Sequence, residues 1–192
     1  MDKQGFRLVL VLTIICIIAG AVLAFVNSVT EPKIKAQEAL AMKKALQETL
    51  PEASEFQPDE SLLKEAQQAG GTDLSELFIG FKGEEKIGVV LIADLRGYSS
   101  VIRLVTGVSR DGRVMGVKVL SQSETPGLGN KISEKEFIEQ PALQQATIEE
   151  QLSVIKDGGS VQAVTGATIS SRAVVKGVNQ SLAAARLFMQ KD

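Results

Sequence analysis

Residues 101–120 read Val-Ile-Arg-Leu-Val-Thr-Gly-Val-Ser-Arg-Asp-Gly-Arg-Val-Met-Gly-Val-Lys-Val-Leu. Ile102, Leu104, Thr106 and Val108 fall on every second position, the period of a strand with one buried face. Asp111-Gly112 in the middle predicts a two-residue hairpin turn between strands over 101–108 and 114–120. Upstream, residues 77–81 and 86–94 are β-like runs joined by Lys82-Gly83-Glu84-Glu85. Four strands joined by short turns predict an antiparallel meander.

Helical patterns surround these strands. Residues 59–69 predict a helix ended by Gly70-Gly71. Residues 133–140 and 142–152 predict two more around Pro141, with Phe137, Ile138, Leu143 and Ile148 sealing the sheet. Residues 160–164 have strand character and lead into Thr165-Gly166-Ala167-Thr168-Ile169-Ser170-Ser171. Beyond them Val174, Val178, Leu182, Ala185 and Phe188 share one face of a long helix. The fold class expected is α+β: an antiparallel sheet with flanking helices on a single N-terminal transmembrane helix.

That anchor is residues 8–26, an apolar run interrupted only by Thr13, Cys16 and Gly20. At 1.5 Å per residue it spans roughly 28 Å, close to the hydrocarbon thickness of a bilayer. Lys3 and Arg7 precede it, which predicts a signal anchor with residues 1–7 in the cytoplasm and the rest beyond the inner or plasma membrane. Residues 27–52 are expected to form a stalk helix, starting at Glu31-Pro32 and stopping at Leu50-Pro51. Residues 53–192 are the expected α+β domain.

Composition excludes several chemistries. A net charge of −2 without a basic run argues against a nucleic-acid partner. With no His and only Cys16, the chain lacks the ligands for its own zinc, haem or iron–sulfur site, and lacks a Ser–His or Cys–His couple. Electron transfer here requires a borrowed organic cofactor. The acids Glu134, Glu136, Glu139, Glu149 and Glu150 read as solvated helix faces.

The stretch 165–171 has a use of its own. A helix start offers unpaired N–H groups and a positive dipole end, which together favour phosphate. Gly166 and Ala167 allow close approach, Thr168, Ser170 and Ser171 add hydroxyls, and Arg172 and Lys176 add charge. The plainer alternative makes Ser170 or Ser171 an N-cap worth about 1 kcal/mol.

The run Thr-Gly-Ala-Thr before a helix resembles the flavinylation motif of the FMN-binding domain family. Glu124-Thr125-Pro126-Gly127-Leu128-Gly129-Asn130 is similar to that family's loop beside the flavin, and Gly97-Tyr98 is a third match. With the membrane segment and the length, the chain resembles the G-subunit family of Rnf-type electron-transport complexes. Gln162 and Gln122 depart from that pattern, which often has an acid and a His there. The resemblance implies FMN held covalently through its phosphate on Thr168, with Thr165, Gly166, Ala167, Ser170 and Ser171 around the phosphate. It implies Glu124, Thr125, Gly127 and Leu128 near the ring, with no catalytic residue and no metal. It further implies a flavin transferase that uses FAD and releases AMP, and other membrane and redox subunits of an ion-translocating ferredoxin/NAD oxidoreductase as partners. Two alternatives stand beside it: the C subunit of the sodium-pumping NADH:quinone oxidoreductase, and a cofactor-free anchored assembly or binding protein.

Overall fold

The computed structural model describes residues 3–191; Met1 and Asp2 of the expected cytoplasmic N-terminus, and Asp192, lie outside them. The chain divides into two compact units, Met1–Ala41 and Met42–Asp192.

Helix α1, Lys3–Thr49, is continuous. Its 18-residue apolar window has a mean hydropathy of 3.1, which makes it long and apolar enough to cross a membrane. The separate stalk start expected at Glu31-Pro32 is not formed, because α1 runs through Pro32. Proline deletes one backbone bond at a cost of about 3 kcal/mol, which a long helix rich in Ala, Leu, Lys and Gln on its far side can absorb. The stop falls at Thr49, just before Leu50-Pro51, as expected.

The sheet is a five-stranded antiparallel meander in chain order. Its strands are β1 (Glu55–Pro58), β2 (Leu74–Lys82), β3 (Glu85–Arg96), β4 (Val101–Ser109) and β5 (Val114–Ser121). Strand β1 lies outside the four expected, because four largely exposed residues ending in proline carry little alternation. The two-residue hairpin is at Gly83-Glu84, closed by the Lys82–Glu85 pair. The Asp111-Gly112 turn is longer than expected: Val108 pairs with Val114, leaving five residues between them.

Helix α2 (Glu60–Gln68) is capped by Asp59, which accepts from the amides of Ser61 and Leu62. The two helices expected around Pro141 shrink to single turns, α3 (Lys135–Ile138) and α4 (Pro141–Gln144). Thr147 forms a bridge with Arg113 instead, so residues after 145 trade helix for a contact with the sheet edge. The strand expected at 160–164 reduces to one bridge, Val154 with Val161. Helix α5, Thr168–Lys191, buries Val174, Val178, Leu182, Ala185 and Phe188 as its periodicity requires. They meet Leu91, Ile102 and Leu104 in the main core, each large side chain contributing about 2 kcal/mol.

The opposite sheet face carries Val90, Ile92 and Val105, which pack with Ala45, Leu46 and Leu50 from the end of α1 and the residue after it. There Gly80, Gly107 and Gly116 leave the room that α1's last turn and Leu50 fill.

Candidate functional site

The segment before α5 is a tight turn. Ala167 N–H donates to the Val164 carbonyl at 3.0 Å, and Gly166, the third residue of that turn, has φ +77°. That position in a type II turn requires positive φ, which is why glycine stands there. A second turn, Thr125-Pro126-Gly127-Leu128, repeats the pattern: Leu128 N–H donates to Thr125 O at 3.2 Å and Gly127 has φ +77°. The two turns face one another, with a Leu128 methyl 3.0 Å from where a Gly166 Cβ would lie.

Helix α5 opens at Thr168, and the bond from Ser171 N–H to Ala167 O, at 3.0 Å, closes its first turn. The amides of Thr168, Ile169 and Ser170 are therefore the unpaired donors of that turn. Ser170 is not free to add its hydroxyl to them: Ser170 Oγ donates to Glu124 Oε2 at 2.7 Å. Ser171 is wholly buried and accepts from Val164 N–H while donating to Ala167 O, both at 3.0 Å. Neither serine is the N-cap, and both hydroxyls donate to groups of the protein itself, Glu124 and the Ala167 carbonyl. The helix start is built from the Gly166 turn, with the serines used to lock it.

Glu124 ties the site together. Its carboxylate, 4 % exposed, accepts from the amides of Tyr98 (3.2 Å), Ser99 (3.0 Å) and Ser100 (2.9 Å), and from the hydroxyls of Ser100 (3.0 Å) and Ser170. Burial pushes this carboxyl up, but the hydrogen bonds from Ser170, Ser100 and Ser99 together outweigh it and hold it below the usual carboxylate range. A side chain on Gly97 or Gly129 would collide with it. The Gln122 amide oxygen accepts from Glu124 N–H at 2.6 Å. The backbone of Gln162 is clamped on both sides by the Gln140 amide, at 2.8 and 3.0 Å.

Between the two turns and the 97–100 loop lies a cleft of about 380 Å³, lined by Tyr98, Glu124, Thr125, Leu128, Gly129, Gly166, Ala167, Thr168, Ile169 and Ser170. Of the expected residues, Thr168, Gly166, Ala167, Ser170, Glu124, Thr125 and Leu128 line it; Thr165, Gly127 and Ser171 do not. Tyr98, Leu128 and Ile169 leave apolar surface exposed at its walls. Charge is placed differently from expectation. Arg172 forms a two-pronged pair with Asp157 (2.7 and 2.6 Å), and Lys176 pairs with Asp73 at 2.7 Å. The cation at the hydroxyl is Lys156, whose Nζ donates to Thr168 Oγ1 at 3.2 Å. Nothing in the sequence marks Lys156, which reaches Thr168 only through the folded path of the chain.

Free amides, one ammonium and a hydroxyl at one end, with exposed apolar and aromatic surface beside them, fit a phosphate carrying a flat ring. The FMN-binding domain family matches residues 97–183, the span that supplies every residue of this cleft, and the RnfG N-terminal region matches residues 1–49. The G subunit of a sodium-translocating ferredoxin:NAD⁺ oxidoreductase complex from Acetobacterium woodii is 34% identical over 190 residues, covering 94% of this chain and 91% of that protein. This chain belongs to the G-subunit family of Rnf-type ion-translocating oxidoreductase complexes. A relative from the proton-translocating complex of Clostridium ljungdahlii is 31% identical, covering 89% of this chain and 86% of its own. The solved NqrC of Shewanella oneidensis aligns over 61% of this chain and 60% of its own, at 22% identity with a TM-score of 0.47. The N-terminal match places the chain among G subunits rather than C subunits, and the FMN-binding domain replaces the cofactor-free alternative.

Proposed function

We propose that the chain is the membrane-anchored electron-relay subunit of an ion-translocating ferredoxin:NAD⁺ oxidoreductase complex, carrying FMN esterified through its phosphate to Thr168 Oγ1. The observation that carries this reading is the position of that hydroxyl. It lies on the first residue of α5, beside unpaired amides and the Lys156 ammonium, and lines a cleft with apolar walls. A flavin supplies the one- and two-electron chemistry that a chain with no His, no Trp and one Cys lacks.

The residues of this chain hold and orient. Thr168 Oγ1 attacks the flavin-side phosphorus of FAD; the new O–P bond forms as the bond to AMP breaks, and the threonine proton passes to a base of a separate flavin transferase. The first-turn amides then face the phosphate. Glu124 binds the 98–100 amides and Ser170 together, holding the cleft walls in register. A covalent tether retains the cofactor where the domain faces outward, with the N-terminus in the cytoplasm; Lys3 and Arg7 before the apolar run support that orientation. Other membrane and redox subunits complete the electron path.

Co-expression with a flavin transferase, followed by intact mass and gel fluorescence, tests the reading. An FMN-sized increase on the Thr168 peptide, absent in Thr168→Val, is the expected result. An unmodified chain, alongside a control protein modified by the same transferase, overturns it.

A further inference from the structure

We infer that Lys156 is the cation that holds the phosphate at Thr168, carried there by a strap that α5 itself grips; this rests on the Thr168 reading above. The strap is residues 152–159. At its start both backbone groups of Leu152 are taken by one side chain: Leu152 N–H donates to Asn179 Oδ1 at 2.9 Å, and Asn179 Nδ2 donates to Leu152 O at 2.9 Å. Further on, Asp157 is held by both prongs of Arg172. Residues 172 and 179 are two turns apart on one side of the helix, so the strap runs along α5 towards its N-terminus. Lys156, the neighbour of the clamped Asp157, then meets Thr168, one turn before Arg172 on the same face.

Charge pairing leaves Lys156 for this task. Arg172 is neutralised by Asp157 and Lys176 by Asp73. Lys156 also feels the charge of Asp157, but that carboxylate is held by both prongs of Arg172, and the hydrogen-bond partner of the Lys156 ammonium is the Thr168 hydroxyl. Glu124, the acid in the cleft, spreads its charge over hydrogen bonds to the 98–100 loop and Ser170. A threonyl phosphodiester keeps one negative charge, and more gathers on the phosphoryl oxygens as the ester forms. One fixed cation opposite them stabilises both, and loss of one such preorganised group slows transfer by about tenfold or more.

The test is a time course of flavin attachment to the full-length chain in detergent, with purified transferase and FAD, read by gel fluorescence and intact mass. Lys156→Gln and Lys156→Arg are compared with wild type, each first shown to melt within about 2 °C of it, as expected for an exposed side chain. Expected is slowing by about tenfold or more in Lys156→Gln, with Lys156→Arg within about threefold of wild type. A wild-type rate in Lys156→Gln, or equal slowing in both variants, overturns the role of Lys156 while the Thr168 reading stands. No modification of wild type, with a control protein modified, removes the Thr168 reading and this inference with it.

Discussion

The two faces of the sheet are covered by helices in different ways. Towards α5, the strands present Leu91, Ile102 and Leu104, and the helix answers with Val174, Val178 and Leu182. Towards the end of α1, the strands present Gly107 and Gly116, and the helix lays its own backbone at Thr49 onto them. Side chains fill the first interface, so small changes of volume can be taken up by rotamer shifts. At the second, main chain meets main chain and nothing nearby can yield. The cleft opens at the N-terminal end of α5, between two tight turns and the 97–100 loop. The second face holds the last turn of α1.

The sharpest way to break this contrast is Gly107→Ala. A methyl there would overlap the Thr49 carbonyl and its carbon, both backbone. We expect a loss of about 3 kcal/mol in denaturant unfolding, the upper end of overpacking costs, because neither partner is a flexible side chain. A loss under about 1 kcal/mol would show that α1's last turn lifts away easily and that the face is not rigid.

On the other side of the comparison, Glu124→Gln probes the knot beside the cleft. The substitution keeps the shape but replaces one accepting oxygen with a donor facing amides and Ser170, an expected loss of about 2 kcal/mol at neutral pH. The carboxyl is held below its unfolded value, so its contribution is complete above the unfolded pKa, taken as 4.5, and is lost as pH falls through the lower folded value. The gap between wild type and Glu124→Gln should therefore close on acidification below about pH 4.5. Glu48, Asp59 and Asp157 are also held low, but they are common to both proteins and cancel in the difference. A gap that stays constant down to about pH 3 would assign the loss to shape rather than charge.

These two regions also differ in how far they could be read from residues alone. Strands β2 to β5 announce themselves through alternation, and α5 through its three-and-four spacing, because burial on one face leaves a periodic trace. Thr168, Gly166, Glu124 and Leu128, which line one cleft, stood out in the sequence because a local run of chain builds each turn. The sheet's glycine trench was not: Gly80, Gly107 and Gly116 acquire meaning only when the register aligns them under α1. Lys156 was hidden for the same reason, since its place depends on Asn179 and Arg172 gripping a segment far back in the chain. The partners of the Ser170 and Ser171 hydroxyls, Glu124 and the Ala167 carbonyl, left no local pattern either. The segment 142–152 misled because helical spacing there competes with a bridge to Arg113 that no local pattern records.

The smallest effect is the most discriminating. Gly177 lies on the α5 face, and a Cβ there would press on a terminal methyl of Leu104 at 2.8 Å and on Leu95. These are the far ends of flexible side chains, unlike the carbonyl above Gly107. Alanine also gains about 1 kcal/mol of helix propensity over glycine in a helix interior. Overpacking of about 1 kcal/mol and that gain should nearly cancel, so Gly177→Ala is expected to change stability by less than about 0.5 kcal/mol. Measured beside Gly107→Ala under the same conditions, it asks whether the kind of neighbour, rather than its distance, sets the cost. Equal losses at the two positions would mean the α5 interface is as unyielding as the backbone contact. A near-neutral Gly177→Ala would show that the site end of α5 rests on a core able to adjust, whereas the α1 end does not.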